Sequence, residues 1–149
     1  MRAVIQKVST SRVLINGNEH SRIGKGLVVL LGIEQDDTDI DVSVMAKKTI
    51  ELRIFEDTEG KMNRSVVDTG GEVLVVSQFT LLGDCWKGRR PSFDKAARPN
   101  EARILYEQYI QKIKNAGVMV SSGVFQAMME VELRNDGPVT LMLDSRKKF

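Results

Sequence analysis

Hydrolytic chemistry needs a nucleophile, a base and donors for developing charge, and this chain is poor in the first two. His20 is its only histidine and Cys85 its only cysteine. His20 follows Asn18-Glu19 in a polar segment and reads as an inert surface side chain, although imidazole is the commonest general base. Cys85 lies beside Trp86 and Lys87. A neighbouring cation can lower a thiol pKa, but no histidine stands near in sequence, so a structural cysteine is expected. One histidine and one cysteine cannot build the usual zinc sites, and one cysteine cannot form an intramolecular disulfide. A nucleophile elbow, a P-loop and a dinucleotide fingerprint are all missing. No metal and no cofactor are therefore expected. An enzyme made this way works by positioning and main-chain dipoles. That suffices for an activated bond such as an aminoacyl ester, not for an amide or a phosphodiester.

Two polar motifs qualify. Ser77-Gln78-Phe79-Thr80-Leu81 places polar side chains at the end of an apolar strand, where burial is costly unless they are satisfied. They either bond nearby backbone as the strand leaves the core, or line a site rim. Asn135-Asp136-Gly137-Pro138-Val139-Thr140 reads in isolation as a turn. Yet a proline entering a strand cannot donate to the ladder and exposes neighbouring carbonyls. A cis Gly137–Pro138 bond would point those carbonyls the same way. Only about 5–6% of X–Pro bonds are cis, so composition alone does not predict one.

The elements that must position these motifs follow from periodicity. Residues 2–15 read as a strand, and Asn16-Gly17 gives a hairpin signal. The return strand carries His20 and Ile23 and is broken by Gly24 and Gly26. The run 27–33 suits a strand buried on both faces. Asp36, Asp37 and Thr38 are N-cap candidates for a helix reaching about Leu52, with Val42, Met45, Ala46 and Ile50 on its apolar face. Residues 56–69 look polar and turn-like, and 73–82 reads as a second buried strand. A basic loop spans 83–98. Asn100 is the cap expected for a helix with Ala102, Leu105, Tyr106, Tyr109, Ile110 and Ile113 as its stripe, closed near Gly117. A short strand at 118–120 follows. Then 125–133 and 139–143 are expected to form a hairpin around Asn135-Asp136-Gly137-Pro138. The class is α+β (α/β): one strand-dominated domain over 1–149 with two main helices.

The 149 residues are 42% hydrophobic and 28% charged, as in an ordinary globular domain. A net charge of +2 is too small to argue for nucleic acid. Its placement says more: Lys87, Arg89, Arg90, Lys95 and Arg98 fall between Asp84 and Arg98, against two acids, and Arg146, Lys147 and Lys148 follow later. Such a run is a solvated face unless a polyanion is implied by something else. No apolar stretch is long enough to span a membrane, and residues 1–6 lack the features of a signal peptide, so a cytoplasmic location is the expectation.

In this order and separation, the two motifs resemble the signatures of the D-aminoacyl-tRNA deacylase family, Ser-Gln-Phe-Thr and Gly-Pro-Val-Thr. These match Ser77 to Thr80 and Gly137 to Thr140. The resemblance runs the length of the chain. It includes Met1-Arg2-Ala3-Val4-Ile5-Gln6, Leu52-Arg53-Ile54-Phe55, Gly60-Lys61-Met62-Asn63, Lys87-Gly88-Arg89-Arg90-Pro91-Ser92-Phe93 and Asn135-Asp136. Two positions depart from it. Lys7 stands where arginine is frequent, beside the Gly-Pro loop. Gln126 stands where glycine commonly follows the phenylalanine matched by Phe125.

The resemblance implies a homodimer of deacylase-like fold in which a cis Gly137-Pro138 segment enters the partner's site. It implies that Ser77, Gln78, Phe79 and Thr80 form the catalytic segment on the 3′-aminoacyl-adenosine of tRNA. Phe125, Lys87, Arg89 and Arg90 are the implied substrate and tRNA contacts. D-aminoacyl-tRNA, and glycyl-tRNA mischarged on tRNA(Ala), would be hydrolysed without a metal. Two other readings stay open: a non-catalytic RNA-binding module, and a metabolic enzyme or binder of small molecules.

Overall fold

The computed structural model describes residues 1–148. Its centre is a six-stranded sheet in which β1 (Arg2–Ile15) is the organising strand. β1 turns through Asn16 (φ 50°) and Gly17 (φ 75°) into β2 (Asn18–Ile23), the left-handed pair that a tight hairpin requires. β3 (Gly26–Gly32) pairs antiparallel with Arg2–Val8 of β1, while β2 takes Ser11–Ile15. β8 (Glu130–Asp144) pairs with β1 from Arg2↔Asp144 to Leu14↔Glu130. β2 and β3 thus share one edge of β1, and β8 takes the other. β6 (Glu72–Ser77) adds parallel to β3, and β7 (Met119–Ser122) adds parallel to β6.

The apolar runs of β3 and β6 are buried on both faces, as their composition predicts. Leu27, Val29, Leu31, Val73 and Val75 face the main core with α1 (Asp39–Glu51) and α3 (Pro99–Asn115). Val28, Leu74 and Val76 face a second cluster that Met129, Val131 and Leu133 help to cover. The helices are locked by a fully buried pair, Tyr109 Oη to Thr49 Oγ1 at 2.7 Å. Burial pushes the Tyr109 phenol well above its usual range.

Several local expectations are corrected. Thr38 does cap α1, reciprocated by Asp41, but the buried Asp37 accepts instead from the Met1 amine at 2.6 Å. α3 is capped at Arg98 and not Asn100, because Pro99 is its first residue and needs no N–H partner. Residues 56–69 are not merely turns. They form a hairpin of β4 (Phe55–Glu56) and β5 (Met62–Arg64), then a four-residue α2 (Val66–Thr69). α2 is a third helix beside the two main ones. The hairpin expected at 125–143 is instead the single strand β8, which begins at Glu130 and continues past 135–138 with a bulge and no reversal of the chain.

Candidate active site

The strand expected at 73–82 ends at Ser77, and its end builds the site. β3 gives out at Gly32, so β6 has no ladder partner beyond Leu31↔Ser77. The Gln78 N–H makes a last bond to the Leu31 carbonyl at 2.8 Å. Phe79–Leu82 then tightens into a 3-10 turn, with bonds from Leu81 N–H to Gln78 O and from Gly83 N–H to Thr80 O. Gly32 permits this close passage, since a Cβ there would lie 2.9 Å from the Gln78 carbonyl oxygen. The turn leaves the Phe79 and Thr80 N–H groups without an acceptor among the described residues, as the first residues of a helix are. The Gln78 amide donates to the Thr80 hydroxyl.

This turn rims a cleft of about 870 Å³. Leu31, Ile33 and Val76 form its floor, and Ser77, Gln78, Phe79 and Thr80 its polar edge. One wall carries Phe125, Gln126 and Met129, the other Phe93, Ala97 and Arg98. Phe79 meets Phe93 edge to face, ring centres 5.0 Å apart. Arg98 is the one charged residue of the lining; no carboxylate, imidazole or lysine reaches it among the described residues. The lining therefore supplies main-chain N–H groups, an amide and hydroxyls, with no general base. Gln126 holds φ 66°, a left-handed backbone that costs an L residue about 1–2 kcal/mol.

The structure thus gathers Ser77, Gln78, Phe79, Thr80 and Phe125. It does not bring Lys87, Arg89 and Arg90 into the lining. They are exposed on a loop pinched shut by Asp84 and Ser92, which exchange backbone bonds of 2.8 and 3.0 Å. Arg98, Phe93 and Met129 were not singled out from sequence. Arg98 carried a signal as the last member of the basic run, and Phe93 as the end of the 87–93 stretch that carries the resemblance. His20 is exposed on β2, away from the cleft.

Gly137 and Pro138 lie elsewhere in the chain. Gln6 pairs with Thr140 and Val8 with Asn135, so residues 136–139 of β8 bulge out opposite the single residue Lys7. Asn135 ties the bulge, accepting from Val139 N–H at 3.2 Å and donating to Thr140 Oγ1 at 2.9 Å. The Gly137–Pro138 bond is cis, Gly137 has φ 125°, and both residues are exposed. Beneath them Lys7 is buried, its ammonium 2.7 Å from Glu56 and 3.9 Å from Asp136. Arg2, at the other end of this segment of β1, donates to the Leu81 carbonyl beside the cleft at 3.0 Å. From Arg2 to Lys7 is roughly 17 Å along the strand, at about 3.4 Å per residue. The Arg2 contact to Leu81 and the bulge over Lys7 thus lie at opposite ends of this stretch of β1.

With this geometry established, residues 4–144 match the profile of a family described as D-Tyr-tRNA(Tyr) deacylase. The chain belongs to that family. A D-aminoacyl-tRNA deacylase of Clostridioides difficile (strain 630) is 58% identical over 149 residues, covering 100% of both chains. One from Syntrophotalea carbinolica is 56% identical over the same length, again covering 100% of both. Among solved structures, one titled c-Myc DNA Unwinding Element Binding Protein superposes with a TM-score of 0.92 at 39% identity, covering 97% of this chain and 98% of its own. A probable eukaryotic D-amino acid tRNA deacylase shares the fold, with a TM-score of 0.83 at 21% identity, covering 95% of this chain and 97% of its own. The deacylase family thus sets the frame for the near-uncharged cleft. No helix among the described residues is long and apolar enough to cross a membrane, and no group of three His, Cys, Asp or Glu among them could hold a metal.

Proposed function

We propose that this chain is an aminoacyl-tRNA editing hydrolase that cleaves the ester of D-aminoacyl-tRNA, releasing the amino acid and tRNA. The observation that carries the reading is the cleft: apolar walls fit for a nucleoside and an edge of main-chain donors, without a base. Family membership supports the same chemistry.

The 3′-terminal adenosine would lie between the Phe125 wall and the floor, with the ester at the Ser77–Thr80 edge. The free N–H groups of Phe79 and Thr80 would meet the oxyanion, where one such donor is worth roughly 2.7–4 kcal/mol in other hydrolases. The Gln78 amide assists. Water attacks the ester carbonyl, and since the lining offers no general base, the ribose 2′-hydroxyl of the substrate is assigned the relay. It takes the proton of the water as it gives its own to the departing 3′ oxygen. The C–O bond breaks, with the amino acid and the tRNA 3′-hydroxyl as products. Handedness is read by a second copy of the chain. Its exposed Gly137-Pro138 bulge presents two carbonyls that hold the substrate ammonium and crowd the direction of an L side chain. A D side chain leaves toward solvent. Glycine has none to exclude, so glycyl-tRNA is also accepted. Lys87, Arg89 and Arg90 meet phosphates, contacts that weaken steeply with salt.

The test compares D- and L-tyrosyl-tRNA with purified protein. Release of D-tyrosine alone is expected. Equal cleavage of both would end the account of handedness, and protection of both esters would leave an RNA-binding module in its place.

A further inference from the structure

Trp86 is the only tryptophan of the chain and is 96% exposed. An indole left in water is unusual on a soluble surface and marks a contact when its surroundings are organised. These are. Every residue from Cys85 to Pro91 is exposed, yet the loop is closed at its base by the paired backbone bonds of Asp84 and Ser92. The main-chain N–H of Trp86 donates to the Asp84 carboxylate at 3.0 Å, which occupies the nearest acid. Gly88 turns the loop at φ 73°. Lys87, Arg89 and Arg90 share this loop with Trp86, with no acidic residue between Cys85 and Phe93.

Both ends of this loop are fastened to the cleft. It leaves directly from the 3-10 turn that carries Phe79 and Thr80, and it returns at Phe93, which lines the cleft and packs on Phe79. A ligand entering at that edge passes the loop. Within the loop the surface offers one flat aromatic face among cations, and a second aromatic ring, Phe79, is half exposed at its base. That suits a polyanion with accessible bases better than it suits a protein partner, whose anchor would need an apolar surround.

We infer that Trp86 stacks on an unpaired base next to the nucleotide in the cleft, while Lys87, Arg89 and Arg90 take the flanking phosphates. The inference rests on the reading that the substrate is an RNA with a single-stranded 3′ end. Trp86 grips the strand and does no chemistry, so it governs KM and not kcat.

Because Trp86 is the sole indole, its emission reports the contact directly. Uncharged tRNA is titrated into the wild-type protein, with filter retention measuring binding in parallel, and the titration is repeated with tRNA trimmed of its unpaired 3′ nucleotides. Intact tRNA should quench the emission and trimmed tRNA should not. Trp86→Ala should raise KM for D-tyrosyl-tRNA roughly ten- to hundred-fold at unchanged kcat, since a base stack is worth about that factor. Trp86→Phe should recover most of the loss. RNA retained on the filter without a change in emission would overturn the stacking and leave the deacylase reading standing. Quenching by intact tRNA in a protein that releases no D-tyrosine would leave the stacking standing and remove the deacylase. An emission that shifts with protein concentration and ignores RNA would overturn the inference in favour of a second copy covering the loop.

Discussion

Thr80 holds the one hydroxyl at the cleft mouth with a donor already aimed at it, the Gln78 amide. An alcohol becomes a nucleophile when a base takes its proton, and the lining contains none. Thr80→Ala should therefore keep single-turnover hydrolysis of D-tyrosyl-tRNA within about ten-fold of the parent, under roughly 1.4 kcal/mol of barrier. Near-total loss in a folded protein would make Thr80 the nucleophile. At this scale Ser77, Gln78, Phe79, Thr80 and Phe125 were legible in the sequence, because polar residues closing an apolar run need a reason. Phe93 and Met129 were not. Each reaches the cleft from an irregular segment whose placement depends on contacts distant in sequence, and no local pattern encodes that.

Lys7 shows how elements cooperate. A fully buried ammonium on β1 draws together Glu56 of the β4–β5 hairpin and Asp136 of the β8 bulge. The Lys7 hydrogen bond is the main cause holding the Glu56 carboxylate below its ordinary value of 4.5. The folded protein thus binds that proton less readily than the unfolded chain does. The stabilisation is complete above 4.5 and disappears as pH falls through the lowered folded value. Glu56→Gln should depress Tm at neutral pH and converge with the parent in acid, by thermal melts across pH. No Tm gap at neutral pH would show that the pair contributes nothing, and a gap that ignores pH would show that the loss does not come from the ionised carboxylate. The apolar periods of β1, β3, α1 and α3 are long enough to be legible in the sequence. The end of β6 is not legible, because Phe79, Leu81 and Leu82 are as apolar as a strand and only the loss of the β3 ladder stops it. Nor is α2, although Ser65 and Asp68 form a capping box, because four residues show no period. Residues 135–138 read as a turn because a bulge and a turn use the same residues.

In the proposed dimer each copy lends its bulge to the cleft of the other across a two-fold axis, and complementation tests that arrangement. Two disabled chains should therefore rescue each other. Thr80→Trp blocks the cleft by bulk. Gly137→Val is excluded by the positive φ, and its Cβ would lie 2.8 Å from the Val139 side chain. Refolded together in equal amounts, they should regain roughly a quarter of parental turnover, since half the dimers are mixed and each holds one intact site. No recovery would mean that the sites are not shared. The pairing of β1 with β8 carries a consequence for synthesis. Arg2 waits for Asp144, and Leu14 for Glu130. A nascent chain stalled before residue 130 has made most of its core residues but leaves one side of its organising strand bare. Ribosome-bound intermediates should thus depend on chaperones until β8 emerges, and early termination should remove the whole fold instead of trimming it.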